Sequence, residues 1–353
     1  MDNSRATSSA WITPGRHVFS ATFVDRACES CPAVSAAAAT VVGMSQHGDP
    51  PQRPPLLTPR QEEFMLQAVP IDDHDPLQYG LGFQARLWAQ VSLPYRNPGD
   101  VRSWERRNGA VTLVLQPGPQ QATDGTVTYP FPYGVIPRLL LTWMATEAVR
   151  TKDRQLFLGP SLSKFLSEIG MGHATGGRLG SITRLREQIK RLAGTRMTVL
   201  DSRELAGHWH SKMESVQIAT GWDLWLSPDE QQQVLWPSSI TLSQEFYDSI
   251  LAAPVPINMR HLAALRATRG SGLSIDIYTW LAWRMFNLKA STLITWQRLA
   301  QQFGTDYART RDFKAQFLKQ LRPVTIVYPE AKIAVAENGL LLSPSPTPVR
   351  PNN

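Results

Sequence analysis

The sequence predicts an α+β protein: two tandem copies of one helix-and-hairpin unit, preceded by a small β-containing segment and a disordered leader. Three observations carry that prediction. The order helix, strand, helix, helix, strand, strand occurs twice along the chain. Alternating apolar residues flank an Asn-Gly turn ahead of the first copy. The opening residues are rich in Gly, Pro, Ser and Ala and show no apolar period.

The leader spans residues 1–58, and Pro50-Pro51-Gln52-Arg53-Pro54-Pro55 favours extended backbone there. Composition marks Met44 as an alternative translation start to Met1. The N-terminal segment, 59–131, opens with a short helix over 59–69. A strand-like run then covers Gly82 to Leu93, with Phe83, Leu87, Trp88 and Val91, and stops at Pro94. A second, Ala110 to Gln116, alternates Val111, Leu113 and Leu115. Trp104 to Gly109 links them, with Asn108-Gly109 as a turn.

The first unit occupies 132–250. Pro137 suits a first helical turn, and Leu139, Leu140, Trp143, Met144 and Ala148 recur at helical spacing. Gln155–Leu158 is a short strand. A helix over Ser161–Ile169 stops at Gly170. The third helix, Leu179–Ala193, puts Ile182, Leu185, Ile189 and Leu192 on one face and stops at Gly194. Strands follow at Arg196–Leu200 and Ser215–Ala219, with Asp201–Lys212 as a loop between them. This is the order of a winged helix. The second unit, 251–342, repeats it. Helices span Ser274–Phe286, Trp296–Phe303 and Arg311–Leu321, and strands cover Leu293-Ile294, Thr325–Tyr328, Ile333–Ala336 and Leu340–Leu342. Residues 343–353 form a flexible tail rich in Pro and Ser.

Lys and Arg outnumber Asp and Glu by 36 to 29, so the chain carries +7. A basic balance favours a polyanion such as nucleic acid. No apolar run approaches the roughly 18 residues of a membrane span. No basic cluster precedes the Ala-rich stretch Ala33–Val42, so no signal peptide, anchor or membrane partner is expected, and the protein is expected in the cytoplasm.

The candidate DNA-binding residues follow from the helix faces. On the third helix of the first unit, Thr183, Arg184, Glu187, Lys190 and Arg191 lie opposite the apolar stripe. Arg186 lies beside them, Arg178 precedes them and Arg196 follows. In a winged helix this helix enters the major groove, where Arg and Lys pair with guanine edges or phosphates and Glu accepts from cytosine. A solvated charged face explains the same residues equally well. The loop carries Arg203, His208, His210 and Lys212. It is either a wing touching phosphate, through Arg203 and Lys212, or a mobile loop. Arg150, Lys152 and Arg154 are either phosphate contacts or plain surface. In the second unit Arg311, Ala315, Gln316, Lys319 and Arg322 lie opposite Phe313 and Phe317, with Arg309 leading in. Two basic helices imply two successive major-groove contacts, a site of roughly two helical turns.

Other chemistry is weakly supported. Cys28-x-x-Cys31 lacks a second ligand pair, so the two thiols are expected to be incidental and no metal is expected. His208-Trp209-His210 resembles the metal-binding triplet of rolling-circle nicking enzymes, but no helix pairs a tyrosine with a lysine four residues on. There are no P-loop glycines, no G-x-S-x-G and no carboxylate constellation. No enzyme, catalytic residue or cofactor is expected.

Tyr133-Gly134-Val135-Ile136-Pro137-Arg138-Leu139-Leu140-Leu141-Thr142-Trp143, followed by Thr146-Glu147-Ala148-Val149-Arg150-Thr151, resembles the plasmid-encoded RepA replication-initiator family. So does Leu158-Gly159-Pro160-Ser161-Leu162-Ser163-Lys164-Phe165. Supporting blocks are Leu93-Pro94-Tyr95-Arg96-Asn97-Pro98-Gly99, Trp104-Glu105-Arg106-Arg107-Asn108-Gly109, Pro256-Ile257-Asn258-Met259-Arg260 and Asp276-Ile277-Tyr278-Thr279-Trp280-Leu281. The resemblance covers residues 80–340. It implies a non-enzymatic initiator that binds repeated sequences (iterons) in double-stranded plasmid origin DNA. Such proteins open adjacent AT-rich duplex and recruit the host replication initiator and replicative helicase. Many repress their own gene, and a homodimer is an expected alternative state. A transcriptional regulator of the same fold is the main rival, since fold does not fix function. A nicking enzyme and a protein-interaction scaffold come after it.

Overall fold

The computed structural model describes residues 80–349 apart from 122–123, 160–164, 167–168, 170, 172–174, 176, 178–179, 206–207, 225–237, 269–270 and 305–308. The leader, the short helix expected over 59–69 and the last four residues lie outside these.

Strand β1 (Leu81–Ala85) turns directly into a short helix, α1 (Arg86–Gln90). The run expected as one strand over Gly82–Leu93 is therefore split. β1 pairs antiparallel with β11 (Pro254–Asn258), from Leu81 opposite Asn258 to Ala85 opposite Pro254. Both prolines of β11 lack an N–H to give the ladder; opposite Pro256, Phe83 N donates instead to Thr146 Oγ1 at 2.9 Å, and opposite Pro254 the pairing has reached its last residue. Trp88 and Ala89 are then buried from a helix.

Strands β2 (Trp104–Asn108) and β3 (Val111–Gln116) form a hairpin. Asn108-Gly109 makes its turn, with Gly109 at φ 60°, the left-handed conformation that such tight turns need. Trp104–Gly109, expected only as a link, is thus itself mostly strand. A minor pair, β4 (Gln120–Gln121) and β5 (Val127–Thr128), follows. Strands β7 (Arg196–Leu205) and β8 (His208–Gln217) complete a four-stranded sheet in the order β2-β3-β7-β8. The N-terminal hairpin is therefore half of the sheet under the first unit. Leu113, Leu115, Met197, Val199 and Val216 line its buried face.

The first unit adds α2 (Val135–Thr151), β6 (Gln155–Phe157), α3 (Ser181–Gly194), β9 (Ala219–Asp223), β10 (Ser239–Leu242) and α4 (Gln244–Ala252). Strands β6, β10 and β9 form a second sheet in that order. Of the helix expected over Ser161–Ile169, Phe165 and Leu166 are described as helical and buried. Of the segment Asp201–Lys212, expected as a loop, residues 201–205 and 208–212 are instead paired strands. Pairing runs from Arg196 opposite Gln217 to Leu205 opposite His208.

The second unit contains α5 (Met259–Arg266), α6 (Ser271–Asn287), β12 (Thr292–Thr295), α7 (Trp296–Phe303), α8 (Thr310–Val327), β13 (Ile333–Ala336) and β14 (Gly339–Leu342). β14 lies between β12 and β13. Of Thr325–Tyr328, expected as a strand, Thr325–Val327 is the end of α8 and Tyr328 its C-cap. The helix passes through Pro323, and Val324 and Val327 extend the buried stripe of Phe313, Phe317 and Leu321. That burial outweighs the β preference of Val-Thr-Ile-Val. The tail is held down at its start. Lys332 N donates to Ser345 Oγ at 2.9 Å, and Tyr328 Oη donates to the Pro346 carbonyl.

Two hydrophobic cores result. One draws on residues between Ala85 and Ile250, the other mainly on Val255 to Leu342. Helix α2 is buried on nearly all sides because it serves both. Leu140, Leu141 and Met144 enter the first core and Leu139 the second. At this junction Arg138 on α2 makes a bidentate pair with Asp276 on α6, both bonds 2.8 Å. The guanidinium also donates to the carbonyls of Leu93, Pro94 and Gly134 and lies 4.6 Å from the Tyr95 ring centre.

Candidate nucleic-acid interface

The N-terminus of α3 is pinned by a reciprocal pair. Thr175 N donates to Ser181 Oγ, and Ser181 N donates to Thr175 Oγ1, each at 2.9 Å. Ser181 N, one orphan donor at the start of the helix, is thereby satisfied, and Thr175 in the approach is tied to it. Its C-terminus is fixed by close backbone approach. A Cβ on Gly118 would stand 2.2 Å from the Gly194 carbonyl oxygen, so this contact requires glycine. Between these ends Gln188 accepts from Tyr133 N at 3.1 Å. The helix presents a fixed outer face.

On that face Arg184 is exposed, and Thr183, Glu187, Lys190 and Arg191 are half-buried, with Arg186 at the flank. Thr183 Oγ1 donates to the Gly177 carbonyl at 2.9 Å, so it braces the approach to the helix. Glu187 and Arg191 form an i,i+4 pair at 3.7 Å. Arg191 also packs 5.4 Å from the Tyr133 ring centre, and Lys190 lies 5.7 Å from that of Trp222 on β9. These aromatic platforms restrict two long cations. Neither Tyr133 nor Trp222 is evident from the periodicity of α3, because both come from other elements. Arg178 lies outside the described residues. Arg196, exposed, begins β7 directly after the helix.

The hairpin cations are placed differently from the expectation. Arg203 is bound to Asp201 on its own strand, through Nε at 2.9 Å and through a second, shorter contact. Lys212 is paired with Glu214. Each cation meets a carboxylate two residues away because a strand puts i and i+2 on one face. Read as loop, the segment gave no such pairing; read as strand, it would have. His208 and His210 are exposed at the tip, paired in register with Leu205 and Arg203. Among the described residues no group of three His, Cys, Asp or Glu is placed to hold a metal ion.

In the second unit Arg309 occupies the N-cap position of α8 and is exposed, as are Arg311 and Lys319; Gln316 and Arg322 are half-buried. Arg311 lies 3.7 Å from Asp312, both in solvent, a pairing of little energetic weight. Arg311, Ala315, Lys319 and Arg322 lie on one side of α8, opposite the buried Phe313 and Phe317. No helix among the described residues is long and apolar enough to cross a membrane.

Residues 131–298 match the family model described as "Plasmid encoded RepA protein". That span runs from the approach to α2 into the first turn of α7. Two solved structures are similar at lower level: crystal structures of domains 2 and 3 of RctB. One shares 12% identity at a TM-score of 0.42, covering 72% of this chain and 93% of its own. The other, a selenomethionine derivative, shares 11% at 0.43, covering 72% and 96%. Likeness of that size does not establish a common fold. No curated protein matches by sequence.

Proposed function

We propose, from the premise that residues 131–298 belong to the plasmid-encoded RepA family, that this protein is a replication initiator binding repeated sites in double-stranded origin DNA. The reading treats both units as winged helices. The single observation that supports it best is the pinned helix α3, whose outer face carries Arg184, Lys190 and Arg191 and which runs straight into a long hairpin. In the second unit α8 carries exposed Arg311 and Lys319 and is followed by the short β13–β14 hairpin. Binding and distortion of the duplex, without covalent chemistry, would open the origin. Autorepression, recruitment of the host initiator and helicase, and a homodimeric state extend the same proposal.

The test is a gel-shift titration against the upstream noncoding DNA and a scrambled control at two salt concentrations. Laddered binding to the native DNA alone supports several repeated sites. Equal, salt-weakened binding to both leaves only a generic basic surface. A palindrome rather than direct repeats beneath the protected region would favour a transcriptional regulator.

Two substitutions separate base from backbone contact. Arg184→Ala is expected to weaken specific binding by about 1–3 kcal/mol, the value of a bidentate base contact, and to relax specificity at one position. Unchanged affinity for the native site would remove Arg184 from the interface. Lys190→Ala should weaken native and scrambled DNA alike and reduce the log–log salt slope by about 0.9, one phosphate contact. A slope equal to that of the unaltered protein would show that Lys190 serves the Trp222 contact alone.

A further inference from the structure

The β7–β8 hairpin outruns the core it belongs to. Among its described side chains the last buried apolar residues are Val199 and Val216, while the ladder continues to Leu205 and His208. The four steps from Asp201 to Leu205 carry the ribbon ~13 Å further. Near the free end stands Trp209, 73% exposed, opposite Glu204. Met213, 67% exposed, follows on the same face of β8. An indole in that position contributes little to folding, since it removes little apolar surface from water.

The charges of the hairpin point away from a phosphate clamp. Arg203 is engaged by Asp201 and Lys212 by Glu214. From Arg196 to Gln217 three Arg and Lys face three Asp and Glu. The ribbon instead carries three successive rings, His208, Trp209 and His210, all exposed. It follows α3, whose outer face carries Arg184, Lys190 and Arg191. A two-stranded ribbon is thin enough to enter a DNA groove, and aromatic side chains stack on bases of any identity.

We propose that Trp209 is a base-stacking residue, which takes an unpaired base of the DNA strand beside the site bound by α3. This rests on the DNA-binding reading above. It goes beyond it by giving the hairpin a single-stranded ligand and an apolar mode of recognition. Stacking on the freed base would hold open a duplex that the two helices bind closed.

The test uses the full chain with Trp209→Ala and Trp209→Phe, measured on the native duplex and on an oligothymidine. The expected result is about tenfold weaker oligothymidine binding by W209A, the low end of base-stacking effects. W209F should stay within about threefold, because a ring remains to stack. Native duplex binding should fall by less than the single-strand binding. Native duplex binding with no measurable oligothymidine binding would overturn the proposal and leave the initiator reading standing. So would equal oligothymidine affinity of W209A and the unaltered protein. An equal fold-loss on duplex and single strand would overturn it too, by making Trp209 an ordinary duplex contact. If W209A instead changed only self-association in sedimentation, Trp209 would be a protein contact and the proposal would fail. Failure of the unaltered protein to prefer native duplex would sink the underlying reading itself.

Discussion

Replacing Asp276 by alanine is expected to lower stability by about 3–5 kcal/mol, the cost of removing one partner of a buried ion pair. Arg138 and Asp276 side chains are only 4% and 8% exposed. After the substitution the guanidinium keeps its bonds to the carbonyls of Leu93, Pro94 and Gly134. It loses its counter-charge, however, and water cannot reach it freely. Asp276→Asn should cost less, because an amide oxygen still accepts from the guanidinium while the charge is gone. The double variant R138M/D276A should lose less than the two single losses added together, since no isolated charge is left behind. Denaturant unfolding checks all three. A loss under about 1 kcal/mol for D276A would show that the pair is solvated in practice. The consequence for function lies in the pair's location. It joins α2 of the first unit to α6 of the second, so it fixes how the outer faces of α3 and α8 are set relative to each other. D276A should therefore tolerate altered spacing between the two half-contacts of a DNA site better than the unaltered protein does.

What could be read in the sequence was local. Ile182, Leu185, Ile189 and Leu192 repeat at helical spacing, and α3 follows them within two residues at its start. Asn108-Gly109 named its own turn. Trp296–Phe303 was bounded by Gly304 and is a helix with those bounds. Elements that depend on distant partners were not legible. β1 is a strand through its pairing with β11, where Ala85 meets Pro254 from across about half of the chain. The outer hairpin was missed for the opposite reason. Beyond Val199 and Val216 both faces of most of the ladder meet solvent, so Ser202, Glu204, His210 and Ser211 show no alternation between apolar and polar. Thr325–Val327 has strand-forming side chains, yet Val324 and Val327 complete a helical stripe that only the second core reveals. For the candidate interface, residue type and helix face located Arg184, Lys190 and Arg191. Their aromatic supports, and the ion pairs that occupy Arg203 and Lys212, required the fold.

Acidification should destabilise the second unit through His261. This side chain on α5 packs edge-on to Tyr278 at 5.5 Å, and burial pushes its pKa down to about 4. Its Nδ1 is buried without a hydrogen-bond partner among the described residues. The imidazole is therefore held neutral in the folded protein. Above pH 6.5 the unfolded chain's imidazole is neutral as well, and His261 makes stability no more and no less pH-dependent. Between pH 6.5 and 4 the unfolded chain binds a proton that the folded protein refuses, so stability falls as pH falls. At 1.36 kcal/mol per unit of pKa difference, the loss reaches at most about 3 kcal/mol near pH 4 and then levels off. Carboxylates also begin to titrate in the lower part of this window, so the informative quantity is a difference. His261→Phe keeps an aromatic ring against Tyr278 and removes the titration. Its stability should fall more shallowly than that of the unaltered protein from pH 6.5 downward. Parallel stability curves for the two proteins across that window would show that His261 reaches water and takes up its proton without unfolding. In that case the α5–α6 contact would not act as an acid-sensitive point in the second unit.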